Sequence, residues 1–198
     1  MSWSAARPTS IALDKLESGM MYRLVLIIAP QGAGKTRLLR EWMRERSKFS
    51  SPAPAWVSLE PGDNDIAIFT DHLLAAFKEI DPGLADRLPL KRASRNLPAV
   101  EGNGPNSKTD SINGEVLLID IINALAAFPQ ELALVLDEYH LIHSPEIHQA
   151  VAFFIRYLPE NVHLYLASRN EPRLPVAHLR ARREMIEIGL DEQINTLE

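Results

Sequence analysis

The sequence predicts an α/β fold: a three-layer sandwich in which helices cover both faces of a five-stranded parallel sheet. Three observations lead there. Short apolar runs bounded by polar or turn-forming residues read as strands: LVLII (24–28), AWVSL (55–59), LALVL (132–136), HLYLA (163–167) and a weaker MIEI (185–188). Stretches with helical spacing lie between them. A glycine-bearing turn, APQGAGKT, joins the first strand to the first helix. Strands that alternate with helices are joined by right-handed crossovers, which gives a parallel sheet buried on both faces.

The helices follow from periodicity. After the first strand, Leu38, Leu39, Trp42 and Met43 share a face, while Arg37, Arg40, Glu41, Arg44 and Glu45 are mostly solvated. Ile66, Phe69, Leu73, Phe77 and Ile80 step by three and four. Leu117, Leu118, Ile121, Ile122 and Leu125 do the same, as do Ile147, Val151, Phe154, Ile155 and Leu158. The last set is introduced by Ser144-Pro145, an N-cap followed by a first-turn proline. The segment 87–114 is rich in Pro, Gly, Ser and Asn, lacks periodicity and reads as a long exposed loop. A chain of 198 residues fits one domain. Residues 1–21 read as an N-terminal extension, 22–190 as the domain itself, and 191–198 as the start of a further domain.

Residues 29–36 fit A-x-x-x-x-G-K-T, the phosphate-loop pattern with Ala29 in place of the first glycine. The chemistry needs these residue types. Gly32 and Gly34 let the backbone turn so that successive N–H groups of Pro30–Arg37, proline excepted, converge on phosphate oxygens. The segment Ala29, Pro30, Gln31, Gly32, Ala33, Gly34, Lys35, Thr36 and Arg37 is therefore the candidate nucleotide cradle. The helix starting near Lys35 adds its positive N-terminal dipole. Lys35 reaches the β- and γ-phosphates in this reading, and the Thr36 hydroxyl is a ligand for Mg²⁺.

LALVLDE places two carboxylates at the end of a buried strand, where the carboxyl edge of the sheet faces the phosphate loop. Asp137 is the candidate magnesium residue, acting through water, and Glu138 the candidate base for an attacking water. The run HLYLA ends in Ser168-Arg169. In phosphate-loop ATPases with an extra strand between the two Walker strands, this strand end faces the γ-phosphate. Arg169 is thus the candidate γ-phosphate sensor, and its strand is expected between the loop strand and the acidic strand.

Net charge of −5 argues against a polyanion-binding surface on this chain, so direct DNA binding is not expected of it. With no cysteine there is no disulfide framework and no thiolate metal site. The N-terminus lacks a signal-peptide h-region, and the longest apolar runs are too short for a bilayer, so no membrane partner is expected and a cytoplasmic location fits. SKTD (107–110) resembles a guanine-reading motif, but it precedes the acidic strand, whereas that motif follows it. His140, His143, Glu146 and His148 match no strong metal template. The basic segment 173–183 reads as a solvated helix face, and Trp42 and Trp56 as core anchors.

Taken together, LVLIIAPQGAGKTRLLREW, AWVSLEPGDNDIAIFTDHLLAAF and the stretch from LALVLDEYHLIHSPEIHQ to SRNEPRLPVAHLRARREMIEI resemble the nucleotide-binding domain of MalT-like transcriptional regulators. These are LuxR-type activators of the signal-transduction (STAND) ATPase class. The resemblance spans about residues 22 to 190, and its Asp-Glu-Tyr-His-Leu-Ile and Ser-Arg-x-x-Pro-x-Leu-Pro blocks are rarer than a bare phosphate loop. It implies an ATP/ADP switch with Mg²⁺, self-association on ATP binding, and slow hydrolysis that resets the switch. It also implies a DNA-binding domain elsewhere in the protein. The family usually has two aspartates at the second site, where this chain has Asp137 and Glu138. An adenine-framing arginine does not align in TSIALDKLESG, so adenine preference is inherited from the family. The chain ends about where the family's next helical domain begins, so the expectation is a nucleotide exposed on one side and bound weakly. A small-molecule kinase on the same scaffold and a nucleotide-dead interaction domain are the alternatives.

Overall fold

The computed structural model describes residues 8–48, 53–81, 83 and 107–190. Its strands are β1 (Leu24–Ile28), β2 (Ala55–Ser58), β3 (Leu132–Asp137), β4 (Val162–Ser168) and β5 (Met185–Gly189). They form one parallel sheet in the order β2-β3-β4-β1-β5. The expected fold class is present, and β4 lies between the loop strand β1 and the acidic strand β3 as expected.

The apolar runs form strands because both faces of the sheet are covered. Leu24 and Leu26 of β1, Leu134 and Leu136 of β3, and Leu164 and Leu166 of β4 pack on one side. Val25 and Ile27, Ala133 and Val135, and Tyr165 and Ala167 pack on the other. The two-residue period of a strand sends neighbours to opposite faces, so a strand covered twice must be apolar at every position.

The first side is covered by α3 (Ile66–Ile80), α4 (Ser107–Ala126), α5 (Pro145–Tyr157) and the short α6 (Ala177–Ala181). The second is covered by α1 (Pro8–Ser18) and α2 (Lys35–Arg46). Trp42 of α2 stacks on Tyr165 at 4.4 Å between centroids, and its indole N–H donates to Glu17 of α1 at 2.8 Å. Trp42 is thus a core anchor. Trp56 is half-buried on the edge strand β2, with the Arg40 guanidinium 5.5 Å from its ring centroid.

Two expectations need correction or addition. Residues 107–114, read as part of an irregular loop, are the first turns of α4; residues 87–106 of that segment lie outside the described residues. The apolar face that begins at Leu117 nucleates the helix, and extending an existing helix through polar residues costs little compared with nucleation. SKTD therefore opens a helix instead of following a strand. The N-terminal segment contributes α1, whose Ala12 and Leu16, with Met20 just beyond, step by four and pack into the core beneath α2. The Tyr165 hydroxyl donates to the Leu16 carbonyl at 2.8 Å.

Candidate active site

The register brings three strand ends to one edge. Ile28 of β1 lies beside Ser168 of β4, and Leu136 of β3 beside Leu166 of β4. The chain after β1 turns through Ala29–Gly34 into α2. Gly32 and Gly34 have φ of +82° and +84°. A Cβ on Gly32 would meet no atom within 4 Å, so glycine is needed there for the backbone angle and not for space. Gly34 is the N-cap of α2 and makes no side-chain cap. The helix start thus presents main-chain donors without a competing side chain. Ala29 and Ala33 are buried, while Pro30, Gln31 and Gly32 are exposed on the outside of the loop.

Lys35 is folded into the loop. Its Nζ donates to the Ala29 carbonyl at 2.7 Å and the Pro30 carbonyl at 3.0 Å, and the residue is 5% exposed. Burial pushes its ammonium below the usual lysine range. Glu138 and Asp137 oppose that shift, and Arg169 adds to it.

Thr36 and Asp137 meet across the sheet. The Thr36 hydroxyl donates to Asp137 Oδ2 at 2.7 Å, joining residues 101 apart in sequence. Asp137 is buried, and its Oδ1 accepts the Glu138 N–H at 2.9 Å. Two hard oxygen groups held this close suit Mg²⁺, which prefers oxygen ligands and keeps several waters.

Glu138 leaves the strand with φ 59° and ψ 32°, a left-handed conformation that costs a non-glycine residue on the order of 1–2 kcal/mol. Its Oε2 lies 3.6 Å from Arg169 Nη2 and 3.4 Å from His140 Nε2. Arg169 also donates from Nη1 to Gln31 Oε1 at 3.0 Å. The arginine therefore links the phosphate loop to the acid that follows β3. The structure brings Gln31, Lys35, Thr36, Asp137, Glu138 and Arg169 to one sheet edge. Arg37 is exposed on the flank of α2, along an open groove that Thr36, Arg40, Glu41 and Arg44 also line.

Two residues that sequence reasoning did not assign belong to this edge. His140 is one; burial pushes its imidazole below the usual histidine range, with Arg169 adding to the shift and Glu138 opposing it. Asn64 is the other. Its Oδ1 accepts the His143 N–H at 2.6 Å and the Ser144 N–H at 2.8 Å, and its Nδ2 donates to the Leu141 and Pro61 carbonyls, each at 3.0 Å. The side chain pins the turn after Glu138 to the turn after β2. No sequence spacing signals a bridge across nearly eighty residues.

Among the described residues no cluster of three or more His, Cys, Asp or Glu is arranged to hold a metal. His148 Nδ1 pairs instead with the Tyr139 hydroxyl at 2.9 Å. The basic stretch around α6 is solvated and paired with acids: Arg180 with Glu171 and Glu187, and Arg182 with Glu184. No helix among the described residues is long and apolar enough to cross a membrane.

No protein-family model matches the chain. Curated relatives do. The HTH-type transcriptional regulator MalT of Cronobacter sakazakii is 34% identical over 177 residues, and that of Klebsiella pneumoniae is 36% identical over 177 residues. Each alignment covers 89% of this chain but 18% of the regulator, so the chain spans under a fifth of the length of these relatives. Among solved structures, Cdc6p from Pyrobaculum aerophilum superposes with a TM-score of 0.57 at 14% identity, covering 96% of this chain and 47% of that one. That likeness concerns the fold. Across 89% of its length this chain is thus similar to one segment of the MalT regulators, and its five-stranded parallel sheet shares the α/β fold of Cdc6p.

Proposed function

We propose that this chain is an ATP–Mg²⁺-binding switch module with slow ATPase activity, serving a MalT-like transcriptional regulator. The observation that carries the reading is the 2.7 Å bond between Thr36 and Asp137, which ties the phosphate loop to the acid closing β3. In a sheet whose two strand ends served no common ligand, nothing would require a buried carboxylate to meet the first-turn hydroxyl of a helix.

The roles divide by position. Main-chain N–H groups from Gln31 to Arg37 receive phosphate oxygens, and Lys35 supplies a cation beside them. Thr36 and Asp137 are the residues that would hold Mg²⁺, which neutralises developing phosphate charge when bound. Glu138 takes the proton of the attacking water as the bond to the γ-phosphorus forms and the bond to the departing ADP oxygen breaks. Arg169 stands where charge on the γ-phosphate would draw it from Glu138. In the free protein Glu138 is paired with that same cation, a contact that bound nucleotide has to displace before the carboxylate can act as a base. Self-association and DNA binding belong, in this reading, to the whole regulator.

The test is a fluorescent-nucleotide titration with Mg²⁺, followed by measurement of phosphate release. The wild-type chain should bind ATP and ADP, and Lys35→Ala should bind neither. Unchanged ATP affinity in a folded Lys35→Ala protein would overturn the assignment. Phosphate transfer only to an added small-molecule acceptor would replace the switch with a kinase.

A further inference from the structure

His140 is the polar side chain that this reading leaves without a task. It sits in the 3-10 turn Tyr139–Leu141 directly after Glu138. Both ring nitrogens are buried, and neither makes an aligned hydrogen bond. Among the described residues the only other orphaned side-chain atom is His163 Nε2, and that ring is anchored through Nδ1 on the Tyr22 carbonyl at 2.8 Å. His140 has no such anchor. A buried imidazole with both nitrogens unpaired costs free energy unless another state of the protein uses it.

The neighbouring acid shows which state that is. The left-handed backbone at Glu138 folds its carboxylate back toward the ring, leaving Oε2 3.4 Å from His140 Nε2. This is within reach of a hydrogen bond but not aligned for one. The same oxygen lies 3.6 Å from Arg169 Nη2. One carboxylate oxygen thus faces two donors, one of which is also bound to Gln31 on the phosphate loop. When the loop fills with phosphate, Arg169 has a stronger anionic partner than Glu138. Released from the arginine, Glu138 would swing freely unless a second donor held it. A neutral N–H orients a carboxylate without cancelling the charge that makes it a base.

We propose that His140 is a positioning residue for Glu138: its Nε2–H takes over the carboxylate oxygen that Arg169 gives up when nucleotide enters the phosphate loop. The proposal rests on the functional reading above and concerns geometry, not nucleotide affinity.

The test compares the full chain with His140→Ala and His140→Gln, whose amide places a donor nitrogen at similar reach. Nucleotide Kd should stay within about twofold in all three. Single-turnover phosphate release should fall at least tenfold in His140→Ala and recover most of its rate in His140→Gln, because a misdirected base loses much of the roughly 10²–10⁴-fold contribution of general-base catalysis. A second readout does not depend on turnover. In ¹⁵N-histidine-labelled protein, a non-hydrolysable ATP analogue with Mg²⁺ should shift the His140 Nε2 resonance in the wild type but not in Glu138→Ala.

Wild-type turnover in a folded His140→Ala protein would overturn the proposal. So would a Gln variant as slow as the Ala variant, or a ring resonance indifferent to Glu138. Should His140→Ala fail to fold, the Gln variant and the wild-type ring resonance decide. A wild-type chain that binds no nucleotide sinks the functional reading and this inference with it. A wild type that binds and turns over, matched by His140→Ala, sinks this inference alone.

Discussion

Replacing Asp137 by asparagine separates what this side chain does for the fold from what it does for a metal. Asp137 is 1% exposed and makes two hydrogen bonds, from the Thr36 hydroxyl at 2.7 Å and the Glu138 N–H at 2.9 Å. Asparagine has the same shape. Its Oδ1 can accept the Glu138 N–H, and its amide can donate to the Thr36 oxygen, reversing that bond. The number of bonds is kept, and what is lost is their charge assistance, about 1 kcal/mol. In the opposite direction, neither bond to Asp137 comes from a cation, so the buried carboxylate carries a desolvation penalty that the amide avoids.

The two effects offset each other, and the free protein should change by less than about 1 kcal/mol, or roughly 2–4 °C in Tm for a chain of this size. The metal-bound state has no such compensation, because a neutral oxygen replaces an anionic one. A hydrogen bond or ligand contact to a charged group is worth about 1.5–3 kcal/mol, so the Mg²⁺-dependent gain in nucleotide affinity should fall roughly 10- to 150-fold. The assay is a pair of nucleotide titrations, in Mg²⁺ and in EDTA, beside thermal melts of the free protein. If the magnesium-dependent gain survived in Asp137→Asn, or if Tm collapsed without nucleotide, the carboxylate would be structural and the metal reading wrong.

Other outcomes follow from the same geometry. Asn64→Ala removes four hydrogen bonds, three of which join two turns, some of them partly solvated, and should cost about 2 kcal/mol, lowering Tm by roughly 4–8 °C; an unchanged melt would show that the bridge contributes nothing. His148 is buried against the Tyr139 hydroxyl, and burial, with Arg173 and His143, holds its pKa down. The unfolded chain therefore binds the proton first as pH falls through about 6.5, so stability should drop on acidification below that value. Melts between pH 7.5 and 5.5 check this, and His148→Gln should flatten part of the slope. Arg169→Ala should erode the preference for ATP over ADP while leaving ADP affinity nearly intact; an unchanged preference would remove its sensor role.

The sheet was legible because its central strands have no polar side to confuse the pattern. Expected strand ends fell within one residue of those observed: β3 runs on to Asp137, and β4 takes in Val162 and Ser168. The place of β4 between β1 and β3 was legible once the loop, the acid pair and Ser168-Arg169 were set in sequence. Helix α1 was missed because Asp14, Lys15 and Glu17 dilute the stripe of buried side chains described at Ala12, Leu16 and Met20. The start of α4 was missed because residues 107–114 follow the helix below them and have no apolar period of their own. In the site, the residue types of the phosphate loop are local and could be read. The left-handed backbone at Glu138 and the Asn64 bridge are set by a turn and by contacts 77 to 80 residues apart, which no local pattern encodes.

What these long-range contacts add is a resting state with its own bonds to break. Lys35 is satisfied by two carbonyls of the loop it would serve, and Arg169 by Gln31 and Glu138. Phosphate must compete with all of these. Each bond from a cation to a neutral oxygen that is exchanged for one to an anionic phosphate oxygen is a gain, but the net is a difference between similar quantities and not the full strength of the new contacts. Binding should therefore be modest in this chain alone and steeply dependent on the charge of the terminal phosphate, since only a highly charged group draws Lys35 and Arg169 away together. Comparing ATP, ADP and AMP would measure that dependence. Equal affinities for the three would mean that the loop and the arginine move independently, and that the contacts linking Gln31, Arg169 and Glu138 do not report the γ-phosphate.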